Sequence, residues 1–284
     1  MHARRKKKLT LILGGGGIST SYVVGFLSAL KKHYKIKPDI IIAGSGSTAT
    51  ASYFVSGQFE MGVKKVWLDK ILDKQFISGP GLFKYVDIDF LVDGVIKKSP
   101  KLNVEKMRKS KTTLLVSSVN AKTGRLQYFS SKEKKFDWFE VLRAGNALPI
   151  FYNKSISIGR STYHDSHLSA VPETHVKKAK ELGATHIISV HSTSEIVRIE
   201  SSVIETIWFL FKKNRAFRKQ YKAILSIQEG ASETNLPIFP SQKPFANLLN
   251  PNYEDIVDTI KLGFRDAKHN QNLKEVLKDF LNKH

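Results

Sequence analysis

Cysteine is absent from all 284 residues, which excludes disulfides, thiol nucleophiles and zinc sites built on thiolates. The compartment stays open, because a chain without cysteine suits reducing and oxidising surroundings alike. Long apolar runs are also missing, and no stretch approaches the roughly 20 residues that a helix needs to cross a bilayer. The opening MHARRKKK-LTLIL has the outline of a secretory signal, but its apolar part is short. The glycines that follow fit a strand-to-loop transition better than a cleavage site. A cytoplasmic protein, or one peripheral to a membrane, is therefore expected. The nine histidines show no H-E-x-x-H or similar spacing, so no metal site and no cofactor is expected. Internal repeats, low-complexity linkers and composition breaks are missing as well. A single domain over 1–284 is expected, with a basic segment at 1–8 and a helical region from about 253 to 284.

Acidic residues are scarce: 25 Asp and Glu stand against 46 Lys and Arg, a formal net charge of +21. That excess favours anionic partners, either acidic phospholipid surfaces or nucleic acid. A generally basic, well-solvated surface gives the same composition, and charge sign alone does not choose between lipid and nucleic acid. No nucleic-acid recognition motif accompanies the excess, which leaves an anionic membrane surface as one expected partner. The basic residues gather at Arg4–Lys8, at Lys97–Lys111 and at Lys212–Lys222. The apolar stretch Val203–Phe211 precedes the last group and suits either a core helix or an interfacial one.

What the chain does have is enough apolar material for a core, 41% of residues, with 10% aromatic. Leu9–Leu13 is a short apolar run ending in Gly14-Gly15-Gly16-Gly17, followed by a helical pattern from about Ser19 to His33. Asp39–Ala43 (DIIIA) reads as a buried parallel strand, with small residues and a helix through Phe54 behind it. This β-loop-α-β-loop-α order predicts an α/β fold with a mainly parallel sheet and helices on its faces. Further strands are expected at Thr113–Val119, Leu126–Phe129, Ser155–Ile158, His186–Val190 and Ile224–Ile227. Helices are expected at Phe136–Ala144, Val171–Leu182 and Ile256–Lys268, with 58–110 mostly helical.

Ester hydrolysis needs a nucleophile, a base and donors for an oxyanion. A glycine run between strand and helix lets the backbone approach a ligand and aim N–H groups into a pocket, though a plain tight turn has the same composition. A dinucleotide fingerprint is disfavoured, since Ser19 occupies its last glycine position. Ala43-Gly44-Ser45-Gly46-Ser47 sits where a strand turns sharply into a helix. A serine there is either an exposed nucleophile in a strained elbow or an N-cap.

Together these segments resemble the patatin-like phospholipase family over most of the chain. The family's glycine loop corresponds to Gly15-Gly16-Gly17-Ile18-Ser19-Thr20, its G-x-L to Gly25-Phe26-Leu27, and its K-P-D-strand-serine passage to Lys37-Pro38-Asp39 and IIIAGSGS. Its R-A-S-x-A-x-P helix end corresponds to Arg143-Ala144-Gly145-Asn146-Ala147-Leu148-Pro149, and its D-G turn to Asp165-Ser166. The stretch Asn120–Gly124 before Leu126–Phe129 matches a family hairpin, while Asp93-Gly94 has the right letters in the wrong context. The resemblance implies a three-layer α/β/α sandwich and a phospholipid or other acyl-ester substrate. It implies a Ser45–Asp165 dyad, with an oxyanion loop at Gly15, Gly16, Gly17 and Ile18. It gives His164 and His167 no role. Ser19, Thr20, Ala43, Ser47 and Ser166 depart from the family pattern, so the alternative is a weak or silent patatin-fold protein that binds acyl lipids or a partner. On sequence grounds Ala43 and Ser47 should crowd the elbow, and replacing both by glycine should raise kcat.

Overall fold

The computed structural model describes residues 7–79, 85–98, 100–148, 151–152, 154–166, 170, 172, 174–193, 235–246, 249 and 251–282. The expected strand Ile224–Ile227, the stretch Val203–Phe211 and the basic group Lys212–Lys222 lie outside these residues.

The chain begins with β1 (Leu9–Leu13), α1 (Ser21–Lys32), β2 (Ile40–Ala43) and α2 (Ser47–Val55). It then passes through α3 (Phe59–Gly62), β3 (Ile77–Ser78), β4 (Tyr85–Val86) and α4 (Val104–Lys109). After these come β5 (Thr113–Asn120), β6 (Leu126–Ser130), α5 (Trp138–Asn146), β7 (Ile156–Ile158) and β8 (Ser161–Asp165). The last elements are α6 (Thr174–Glu181), β9 (His186–Val190), β10 (Asn235–Ile238), α7 (Tyr253–His269) and α8 (Gln271–Leu281).

The result is a mixed α/β fold whose central sheet is flanked by helices. Strands β10, β9, β1, β2 and β5 run parallel in that order, β6 and β8 are antiparallel to β5, and β7 is antiparallel to β8. Residues alternate across a strand. Accordingly Leu9, Leu11 and Leu13 join Ile41 and Ala43 in the larger core, while Ile12, Ile40 and Ile42 pack with Ala179 of α6 on the other face. Both faces are covered, which explains why the strands are continuous apolar runs.

The small residue at Gly25 also has a packing cause. A Cβ there would lie 2.0 Å from the Ile260 carbonyl oxygen, and one on Gly263 would lie 2.1 Å from that of Tyr22, so α1 and α7 cross backbone against backbone. Caps set helix starts: Asp137 accepts from the Phe139 amide at 2.9 Å, and Asn270 from that of Leu273 at 2.8 Å.

Helical turns predominate among the described residues of 58–110, as expected, but they are short and partly π-helical, at Val63–Trp67 and Phe90–Ile96, and the paired strands β3 and β4 interrupt them. The run Gly79-Pro80-Gly81 cannot continue a helix, which accounts for the break. Strand β10 is not among the expected strands, and it carries Pro237. It lies at the end of the sheet order, where a missing amide is tolerated.

Candidate active site

The register of β5 brings the two halves of the site together. Val116 pairs with Ala43 of β2 and with Phe129 of β6, so β2 and β6 flank β5 on opposite edges. Ser118 pairs with Gln127 of β6 and with Asp165 of β8, which puts β8 on the same edge as β2. Strand β2 runs up that edge and β8 runs down it, and their carboxyl ends meet across Ser117. Two residues of rise, about 7 Å, separate Ala43 from Asp165 along β5. His164 pairs with Val119 and projects to the opposite face from its neighbour Asp165. His167 lies outside the described residues.

At the end of β2 the backbone turns sharply. Ser45 has φ of 50°, a left-handed conformation that costs strain in a side-chain-bearing residue. It precedes the N-terminus of α2, whose partial positive charge favours a developing anion. Ser45 and Asp165 are both buried, at 7% and 1% exposure. Both line one cavity of about 70 Å³, together with Gly17, Ile18 and Asn146. The remaining wall is almost wholly apolar and comes largely from 66–91, including Val66, Phe76, Ile88 and Leu91. Trp67 also lines it, but its indole N–H is turned to Thr50 at 2.8 Å.

The glycine loop leaves β1 beside this elbow, since Leu13 pairs with Ala43 and the Gly44 amide donates to the Leu13 carbonyl at 3.3 Å. Gly16 and Gly17 have φ of 145° and 53°, open to glycine at little cost. The Gly14 amide donates to Val190 and that of Ser19 to Gly16. Among the described residues the amides between them, Gly15 to Ile18, donate to no carbonyl. The Ser192 hydroxyl donates to the Gly15 carbonyl and anchors the loop from β9's far end.

Of the five residues that depart from the patatin-like pattern, the four with hydroxyls are each held by a side-chain hydrogen bond. Ser47 donates to the Gly44 and Leu13 carbonyls at 2.8 and 3.1 Å. Thr20 donates to Gly17 at 2.6 Å, and Ser19 to Ala246 at 3.0 Å. Ser166 meets the Ser117 hydroxyl at 2.8 Å. The crowding expected from Ser47 is thus replaced by a fastening, in which its hydroxyl joins strand end, elbow and helix start.

Asn146 was not singled out from sequence. Its amide nitrogen donates to Leu142 O at 2.8 Å and to Thr48 Oγ1 at 2.7 Å, and Thr48 donates to the Ser45 carbonyl at 2.9 Å. The signal was its place in the R-A-G-N-A-L-P run. Arg143 of the same run is buried and binds Asp89, Asp93 and Glu140, tying the 66–96 wall to α5. Burial alone would raise the Asp89 carboxyl, but hydrogen bonds from Lys154 and Tyr152 and the Arg143 charge outweigh it and hold it below the usual range. Asp93 is likewise lowered, with burial opposed by Lys97 and Arg143. Asp93 thereby has a structural partner of its own, away from the cavity lining. Tyr152, which lines the cavity, donates to Asp89 at 2.9 Å, and its hydroxyl is pushed upward by burial and by that carboxylate. Among the described residues no acidic and histidine side chains cluster as a metal would require, and no helix is long and apolar enough to cross a membrane.

No family model matches the chain. Its sequence is 22% identical over 196 residues to the uncharacterized protein YjjU of Escherichia coli (strain K12), taking in 65% of this chain and 52% of YjjU. The chain thus spans about half the length of that curated relative. The structure is similar to VipD from Legionella pneumophila, with a TM-score of 0.51 at 12% identity over 96% of this chain and 67% of VipD. At that identity the likeness is one of fold, and this chain shares with VipD an α/β architecture of a central sheet flanked by helices.

Proposed function

We propose that this protein is a lipid acyl hydrolase of the patatin-like kind, built as a three-layer α/β/α sandwich, with Ser45 as nucleophile and Asp165 as base. The observation that carries the reading is a serine at positive φ sharing one apolar cavity with a buried aspartate and a glycine loop. Ser45 Oγ attacks the acyl carbonyl carbon while its proton passes to Asp165. The oxyanion that forms takes hydrogen bonds from amides of Gly15 to Ile18, which donate to no carbonyl among the described residues. Collapse breaks the ester bond, and Asp165 returns the proton to the departing alcohol. Water then adds to the acyl-serine by the same route in reverse and frees the acid. The apolar wall suits an acyl chain of a phospholipid, lysophospholipid or related ester. The net charge of +21 supports an anionic membrane surface as the place where such a substrate is met.

Hydrolysis of short-chain activated esters by the wild type, Ser45→Ala and Asp165→Asn tests this. Each variant should retain its melting profile and lose activity on the order of 10⁴-fold, and the double variant should be little worse than either. A fluorophosphonate probe should label the wild type and not Ser45→Ala. Full activity in Ser45→Ala would overturn the assignment, and a folded wild type that binds acyl chains without hydrolysing any ester would favour the silent binder.

A further inference from the structure

Ser117 faces the gap where β2 and β8 meet end to end on one edge of β5. It is a hydroxyl residue in an otherwise buried strand, fully enclosed, and so is Ser166, which follows Asp165. Their oxygens lie 2.8 Å apart. The Ser117 hydroxyl is also 3.4 Å from the Ala43 carbonyl, and that of Ser166 is 3.3 Å from the Ser117 carbonyl. Two proton arrangements satisfy the pair. In one, Ser166 donates to Ser117 and Ser117 donates onward to Ala43, giving a directed chain from the Asp165 turn to the strand that carries Ser45. In the other, Ser117 donates to Ser166, which donates back to the Ser117 carbonyl. Both keep the short link between the turn and β5.

The pair also bears on the elbow sterically. A Cβ built on Gly44 would lie 3.2 Å from Ser117 Oγ and 3.6 Å from Ser166 Oγ, so the two hydroxyls pack over the residue just before Ser45. The two strand ends converge there without pairing with each other; the ladder on β5 spaces Ala43 from Asp165, but Ser45 lies two residues beyond Ala43, the last paired residue of β2. We infer that Ser117 and Ser166 are positioning residues whose hydroxyl pair sets the spacing between Ser45 and Asp165. This inference rests on the acyl-hydrolase reading above.

The test compares Ser117→Ala, Ser166→Ala and the double variant, with kcat and KM measured on a small soluble ester and melting temperature in parallel. Misplacing a reacting group by about 1 Å costs on the order of a hundredfold, so each single variant should lose tenfold to a hundredfold in kcat while KM holds. Removing one hydroxyl leaves its buried partner only a long bond to a carbonyl, 3.4 Å for Ser117 or 3.3 Å for Ser166, whereas removing both leaves no buried hydroxyl short of a good partner and is close to neutral for stability. The double variant should therefore recover most of the melting temperature lost by the singles while its kcat stays low. A double variant in which kcat recovers along with stability would show a merely structural pair and overturn the inference, as would single variants of undiminished kcat. Should Ser117→Ala fail to fold, Ser166→Gly carries the same kcat-against-KM comparison. A folded wild type that hydrolyses no ester and resists the phosphonate overturns the functional reading itself, whereas an active wild type with a fully active double variant overturns only this inference.

Discussion

Replacing Ala43 and Ser47 together by glycine separates two accounts of the elbow. If the side chains crowd the turn, their removal relaxes Ser45 and raises kcat. The structure argues for the opposite result. Ser47 is fully buried and donates to two carbonyls, those of Gly44 and Leu13. The Leu13 carbonyl keeps the Gly44 amide as a second donor, so the loss belongs at the low end for a buried hydrogen bond, about 1 kcal/mol. Ala43 is wholly enclosed in the larger core. Deleting its methyl and loosening the strand backbone costs about 1–1.5 kcal/mol. The sum, roughly 2–2.5 kcal/mol, corresponds to a fall in Tm of about 4–10 °C for a chain of this size. Ester turnover should drop with it, because the hydroxyl that joins elbow to strand end is gone. Thermal melts and initial rates on an activated short-chain ester measure both quantities. An unchanged Tm with a raised kcat would refute the fastening account and restore the crowded elbow.

Gly25→Ala should be more costly still for its size, because the new Cβ would stand 2.0 Å from the Ile260 carbonyl. Separating α1 from α7 should cost about 1–3 kcal/mol, and a Tm equal to that of the wild type would show that the helices do not cross so closely. The Arg143 cluster predicts an acid-sensitive wall. Asp89 and Asp93 have folded values below their ordinary ones, so the stability they contribute is present above about pH 4 and is lost as pH falls through those folded values. Asp93→Asn should lower Tm at pH 7, and the gap to the wild type should close below about pH 4; a gap that stays constant with pH would remove the carboxylate from the argument.

Much of this molecule follows from local sequence. The apolar runs LTLIL and IIIA, the glycines after the first and the caps before the helices dictate their elements through short-range physics, and β1, β2, α5 and β9 lie where periodicity places them. Local order also puts a glycine loop and a serine turn at the ends of two neighbouring parallel strands. The cavity wall from 66–91 was not legible, because its short turns and hairpin carry no lasting period and are held by Arg143 and by apolar contacts distant in sequence. Nor could sequence alone show what the departures from pattern do. Ser47, Thr20 and Ser166 read as lost glycines, and only the packed structure supplies the carbonyls and the hydroxyl that engage them. The meeting of Ser45 with Asp165 belongs to the tertiary structure too. It depends on β2 and β8 sharing one edge of β5 from opposite directions, a register set by pairing of β5 with segments 73 and 47 residues away (Ala43 with Val116, Ser118 with Asp165), which no local pattern encodes.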